Sequence, residues 1–233
     1  MNKRLKTMMD FKGYGNPKGK YWFIGIEEAL AIDTDEKLKP YESGISNNNK
    51  GDYTKYKNEF YEQLRKDGIR GKYTSTYDIV GKIIKSVEGI DEDLTEFLDK
   101  NLFTETGNNF YTNIFPLGKS KANDSLQKKS LDFMGLKDMK EYFEAVKNYR
   151  NKNLHKLWKE SNSTVTICFG KRNWDDFENL LKKDKSQRLE VVKDKIYLHS
   201  DSNIYLVPFF VNYAMNGNLI DMLSKDIRNR ILN

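Results

Sequence analysis

Four short apolar runs constrain this chain more than any other feature. They are Tyr21-Trp22-Phe23-Ile24, Phe110-Tyr111-Thr112-Asn113-Ile114-Phe115, Val165-Thr166-Ile167-Cys168-Phe169 and Ile204-Tyr205-Leu206-Val207-Pro208-Phe209-Phe210. Each is rich in β-branched and aromatic residues. Each is also nearly continuous rather than alternating, as expected of parallel strands whose two faces are both covered by helices. Helical patterns lie between the runs. Tyr77, Val80, Ile83, Ile84 and Val87 share one face, and so do Met139, Phe143, Val146 and Tyr149, with Leu157 and Trp158 extending that helix or opening another. Trp174, Phe177, Leu180 and Leu181 form a third face, and Leu219, Leu223, Ile227 and Ile231 a fourth.

Local punctuation fits this alternation. Asn173 with Asp176, and Asn218 with Asp221, read as N-caps ahead of the last two helices. Val191-Val192 and Ile196-Tyr197-Leu198 flank Lys193-Asp194-Lys195, which predicts a hairpin leading into the fourth strand. The expected architecture is a three-layer α/β/α sandwich around a mainly parallel, four-stranded sheet. It is expected to form a single domain over residues 1–233, with a helical insertion at about 45–105. Residues 29–52 and 116–136 are weakly patterned and read as long loops at the carboxyl ends of the first two strands. That edge is where α/β folds place their sites.

Composition narrows the function classes. The 233 residues include 13 Phe, 14 Tyr and 3 Trp, enough for a substantial core. The lone Cys168 excludes a disulfide framework, a cysteine zinc site and a protein-ligated iron–sulfur cluster within this chain. His155, read on a helix surface, and His199, read in a hairpin tail, are too few for a histidine metal centre, so no cofactor or metal is expected. No run approaches the ~20 apolar residues of a membrane helix. The N-terminal MNKRLKTMMDF is basic without an apolar segment, which predicts a cytoplasmic protein rather than a secreted one. The net charge is +6, with six bases against Asp10 in the first 20 residues. Such clustering is compatible with a nucleic-acid face, and equally with a solvated lysine-rich surface.

Three groups of residues have chemical potential. Gly25-Ile26-Glu27-Glu28 follows the first strand and puts two carboxylates at its carboxyl edge, where burial would raise their pKa values and suit one to general-base work on water. A solvated turn or a helix N-terminus accounts for the same pair. Asn113 interrupts an apolar strand. Its carboxamide must find partners, either the donor and acceptor edge of a nucleobase or a neighbouring loop. Gly170-Lys171-Arg172-Asn173 and the segment Asn212-Tyr213-Ala214-Met215-Asn216-Gly217-Asn218 both join a strand to a helix. Their N–H groups, with Lys171 and Arg172, suit phosphate contacts. Cys168, mid-strand, reads as a small core residue.

In order and motif, these segments resemble the uracil-DNA glycosylase superfamily, and most closely a bacterial branch whose first strand reads Trp-Phe-x-Gly-x-Glu-Glu, here Trp22 to Glu28. The resemblance implies that Glu27 positions or activates the attacking water. It makes Asn113, closing Tyr111-Thr112-Asn113, the reader of the base edge. Cys168-Phe169-Gly170-Lys171 matches the third strand with its closing glycine, and Val207-Pro208 stands where the family has His-Pro. Two positions depart from the family: Val207 replaces the histidine that stabilises the departing base, and Glu28 replaces the motif proline. The implied function is binding of nucleic acid (DNA before RNA) or a nucleotide, with hydrolysis of an N-glycosidic bond. The alternative is a catalytically inactive module of the same fold that binds nucleic acid or a protein. Glu27, Glu28 and Asn113 would be catalytic. Gly25, Ile26, Phe115, Pro208, Phe209, Asn212 and Tyr213 would surround the base, and Gly170, Lys171, Arg172 and Asn216 the phosphates. Lys119 and Lys121 are expected on the same edge.

Overall fold

The structure, a computed structural model, describes residues 1–27, 32–36, 38, 39, 75–117, 124–161, 163–210 and 214–232, without the side chains of 27, 75, 124–127 and 232. It begins with helix α1 (Lys3–Asp10) and a two-residue strand β1 (Tyr14–Gly15). Strand β2 (Tyr21–Glu27) precedes helices α2 (Ser75–Glu88) and α3 (Leu94–Asn101), and β3 (Asn109–Phe115) follows. Next come α4 (Asp124–Phe133), α5 (Met139–Ala145), a π-helical turn over Val146–Arg150 and α6 (Asn151–Ser161). Strand β4 (Val165–Phe169) leads into α7 (Trp174–Leu181), then the hairpin β5 (Leu189–Val192) and β6 (Ile196–His199). Strand β7 (Ile204–Val207) and α8 (Gly217–Leu232) complete the chain.

The four apolar runs form the middle of one sheet, of order β1-β3-β2-β4-β7-β6-β5. The β3-β2-β4-β7 ladder is parallel throughout. Seven strands replace the expected four. The hairpin joins the sheet by pairing β6 antiparallel to β7, and β1 pairs antiparallel to β3 at the other edge. The run expected to extend to Phe210 stops as a strand at Val207, because Pro208 has no N–H to give the ladder. Part of the segment read as a loop over 116–136 is helix α4, and Leu131, Met134 and Leu136 around its end are buried. The N-terminal helix α1 was not expected either; it buries Leu5, Met8 and Met9 under a strongly basic exterior. Among the described residues no helix is long and apolar enough to cross a membrane.

Caps depart from expectation too. Asn173 stands at the head of α7 but makes no side-chain cap; its amide donates instead to the Asp176 carboxylate at 2.8 Å. A 3₁₀ turn over Lys171–Asn173 precedes it. The cap of α8 is Asn216 rather than Asn218, its Oδ1 accepting from the Leu219 N–H at 3.1 Å.

The π turn has an identifiable cause. It ends at Arg150, whose side chain is buried against backbone carbonyls from two distant segments. The guanidinium donates to the Asn113 carbonyl (2.8 Å) and the Ile114 carbonyl (3.1 Å) of β3. It also donates to Met8 (3.3 Å) and, closely, to Phe11, carbonyls that α1 leaves unpaired at its C-terminus. A π turn puts one extra residue in the helix and so allows a side chain to be re-aimed. Here it lets one arginine tie α1 to the carboxyl end of β3.

Two predictions follow from this framework. Arg150→Met, which keeps the length and removes the donors, is expected to cost about 3–5 kcal/mol in urea unfolding. Lys156→Met, on exposed helix surface, should stay within about 0.5 kcal/mol; equal effects would show that Arg150 is not a tie. The second concerns pH. The Tyr21 hydroxyl donates to Glu88, which also accepts from Lys20 at 2.7 Å. Burial, then the hydrogen bond to Glu88, raises the Tyr21 pKa. For Glu88, burial opposes ionisation, but the bonds from Lys20 and Tyr21 win and lower its pKa. Stability from the depressed carboxyl is present above its ordinary value of 4.5 and lost as pH falls below it; stability from the raised phenol is lost as pH rises beyond 10.0. The melting-temperature gap between wild type and Tyr21→Phe should therefore be widest near neutrality and narrow at both extremes. A gap constant from pH 4 to 11 would contradict the pairing.

Candidate functional site

The four parallel strands end along one edge of the sheet, β2 and β3 running past β4 and β7, and the polar residues of the candidate site lie along that edge. The parallel register sets Gly25 of β2 beside Asn113 of β3, with Ile24 beside Cys168 and Phe169 beside Val207. Residues two apart on a strand share a face, so Tyr111 and Asn113 project together. Asn113 is 2% exposed, and the Tyr111 hydroxyl donates to its Oδ1 at 3.0 Å.

The carboxamide lies where a side chain at position 25 would be. A Cβ on Gly25 would overlap Asn113 Oδ1 and stand 2.8 Å from Phe169 Cζ and 3.1 Å from Tyr111 Oη. Glycine is therefore a requirement of close approach at this point. Aromatic rings continue outward from it. Tyr111 stacks near Phe169 (6.0 Å between centroids), and Phe169 lies flat on Phe210 (4.2 Å, 6° between planes). Phe209, 43% exposed, is 6.0 Å from Phe169 and carries the wall into solvent. On the inner side, the first turn of α2 sets Tyr77 edge-on to Tyr111, and Phe103 lies 5.3 Å from the same ring.

A second glycine closes the neighbouring strand. Gly170 has a φ of +133°, and a Cβ there would overlap Ile26, so the turn after β4 folds down on the end of β2. Val207 is fully buried, and its carbonyl accepts from the Gly170 N–H (3.0 Å) and Trp174 Nε1 (3.1 Å). Because β2 lies between β3 and β4, strand addition changes direction at β2. A crevice for ligands opens at such a point in α/β sheets.

The sequence-derived residues separate into three groups. Gly25, Ile26, Asn113, Gly170, Pro208 and Phe209 lie at or beside this edge. The backbone of Glu27 closes β2 opposite Phe115, while its side chain, together with Glu28, Lys119, Lys121, Asn212 and Tyr213, lies outside the described residues. The others point elsewhere. Phe115 packs on Tyr142 and Phe143 of α5, and Lys171 donates to the Asp194 carbonyl at 2.9 Å on the β5–β6 turn. Arg172 is exposed in the 3₁₀ turn, and Asn216 caps α8.

One histidine departs from expectation, and the other stands at the end of the hairpin as read. His155 is buried where α6 meets α7 rather than on the surface. His199, at the end of β6, is buried with Nε2 2.8 Å from the Glu178 carboxylate, to which Arg188 also donates at 2.6 Å. Cys168 is a core thiol as expected, with its pKa pushed up by burial and then by the Glu178 charge. Among the described residues no group of three or more His, Cys, Asp and Glu is placed to hold a metal ion.

Sequence reasoning passed over two residues of this edge. Tyr111 and Phe169 stand in apolar runs that read as buried strands, although the spacing of Tyr111 two before Asn113 announces a shared face. Asp78, beside Tyr77 on the first turn of α2, is a carboxyl whose pKa burial raises against the opposing charge of Lys82. Compared with family models and with curated proteins, the chain matches none.

Gly25→Ala tests the geometry. The added methyl should displace the carboxamide and lower the unfolding free energy by about 1–3 kcal/mol. Tyr111→Phe, removing only the donor, should cost about 1 kcal/mol. Undiminished stability in Gly25→Ala would show that Asn113 does not occupy that space.

Proposed function

We propose that the protein binds a nucleobase, in nucleic acid or in a nucleotide, at the carboxyl edge of β2, β3 and β4, and hydrolyses its N-glycosidic bond. The observation that carries this reading is the Asn113 carboxamide lying on Gly25 behind a wall of aromatic rings. A carboxamide offers a donor and an acceptor side by side, matching the edge of a base. The Tyr111 hydroxyl, by donating to Oδ1, fixes which way it points. Phe209, the exposed ring of the wall, suits stacking on a base taken out of its helix.

Architecture supports the same reading. Helices α2 and α8 meet the sheet face that carries Tyr21 and Tyr205, through Glu88 and Asp226, whereas Trp158 of α6 reaches Thr166 on the alternate register. Helices on both faces of a parallel core support the reading of a three-layer α/β/α sandwich of the uracil-DNA glycosylase type. In the proposed reaction Glu27 takes a proton from water as the water oxygen bonds to C1′. The C1′–N bond breaks, and its electron pair leaves with the base, which is then reprotonated. Glu28 tunes Glu27 or contacts the sugar, and backbone N–H groups near Gly170 hold phosphates, without Lys171, which is engaged on the β5–β6 turn.

Val207 favours a second reading, a non-catalytic module that binds nucleic acid or a protein. The position where the glycosylases carry their histidine is here a fully buried valine with its carbonyl engaged. Loss of such a donor costs roughly 10²–10³-fold in rate. One experiment separates the readings. Oligonucleotides carrying uracil, hypoxanthine, alkylated purines or mismatches, and the corresponding nucleotides, are incubated with protein, and abasic sites are cleaved with alkali. The proposal expects product on at least one substrate, falling at least about 100-fold in Glu27→Gln. Salt-dependent DNA affinity without turnover would establish the binding module. No product above the Glu27→Gln control and no affinity for nucleic acid or nucleotides would overturn both nucleic-acid readings.

A further inference from the structure

A second concavity opens where Phe115 turns away from Asn113. The rod formed by α5, the π turn and α6 diverges from α7 and leaves a cleft of about 760 Å³ floored by the end of β3. That is the size of a site for a small organic ligand.

Its lining has three separate chemistries. Asn151 and His155, one turn apart on α6, share a helix face. Oδ1 of Asn151 and both ring nitrogens of His155 are buried with no hydrogen-bond partner, and His155 is only 9% exposed. Buried polar atoms in native proteins are paired, so an unpaired amide oxygen and imidazole on one face call for a polar partner that enters the cleft. Burial first, then Lys182 and Lys159, hold the His155 pKa below its ordinary value. The Leu180 carbonyl, near but outside hydrogen-bond geometry, partly offsets them. The ring is therefore neutral at pH 7 and offers one donor and one acceptor.

The second chemistry is aromatic. Phe143, 38% exposed, meets Phe115 edge-on at 5.4 Å along the wall. The third is charge. Lys147, Lys152 and Lys182 line the cleft from α5–α6 and the end of α7, and none forms an ion pair among the described residues. The Asp176 carboxylate, also in the lining, is held by Asn173.

We propose that this cleft binds a mononucleotide, its base edge on Asn151 and His155, its ring against Phe115 and Phe143, and its phosphate among Lys147, Lys152 and Lys182. A flat ring with hydrogen-bonding atoms on its rim and an anionic group beyond it is the class that uses all three chemistries at once. The site is separate from the Gly25–Asn113 edge, and the inference does not rest on the reaction assigned there.

Calorimetric titration of the whole protein with AMP, UMP, ribose 5-phosphate and inorganic phosphate tests it. The expected result is saturable binding of at least one mononucleotide, tighter than about 1 mM. Affinity should weaken at least about tenfold in Lys152→Glu/Lys182→Glu and in Asn151→Leu. The two lysines are exposed, so their variant should melt at the wild-type temperature, and Lys156→Met, outside both sites, should bind as wild type does. No binding, binding untouched by the cleft variants, or equal affinity for inorganic phosphate alone would each overturn the proposal.

Discussion

The guanidinium of Arg150, taken out of water and spread over backbone carbonyls from two distant segments, sets the relation between the N-terminal helix and the end of β3. A buried cation is costly unless its donors are satisfied, so the segments around it have little freedom to move independently. The π turn that aims Arg150 inward also sets the heading of α6, and with it the Asn151–His155 face. On β3 the arginine grips the carbonyl of Asn113 itself. The backbone of this residue is thus fixed from one side while its side chain is fixed by Tyr111 from the other.

That double restraint gives the candidate site its character. A carboxamide held in one orientation over a strand glycine is a preorganised donor–acceptor pair, and it costs no reordering when a ligand arrives. Asn113 itself is buried behind the aromatic wall that runs from Tyr111 to Phe209. What this edge lacks is positive charge from Lys171, which is drawn off to the β5–β6 turn. Any nucleic-acid affinity at the edge must come from stacking, amide recognition and backbone N–H groups more than from that lysine. The +6 of the chain is therefore no measure of this site.

The core of the sheet was legible because continuous apolar runs have one economical solution, a strand buried on both faces. The expected ends of β3 and β4 agree with the structure to within a residue, whereas β7 stops short at a proline whose effect on the ladder could have been foreseen. The two-residue β1 carries no periodic signal, and the hairpin shows nothing locally of which neighbour it will join. The site was half legible. Asn113 stood out as a polar residue in an apolar strand, but its partners across the sheet and down the face depend on register. Gly25 looked like the end of a strand, whereas its role is to make room for that carboxamide. His155 reads as surface because Asn153 and Lys156 beside it are polar. Only the packing of α6 on α7 buries it, and no local pattern reports that contact. The pairing of His199 with Glu178 is equally long-range.

The central claim, that the Gly25–Asn113 edge recognises a nucleobase, is tested most directly by nuclear magnetic resonance. The side-chain amide of Asn113 and the backbone amide of Gly25, labelled with ¹⁵N, are followed while a single-stranded oligonucleotide or a nucleoside is added. The account predicts saturable shifts at both signals, abolished for the Gly25 signal in Asn113→Leu. Shifts confined to the α6–α7 cleft, or none anywhere, would contradict it.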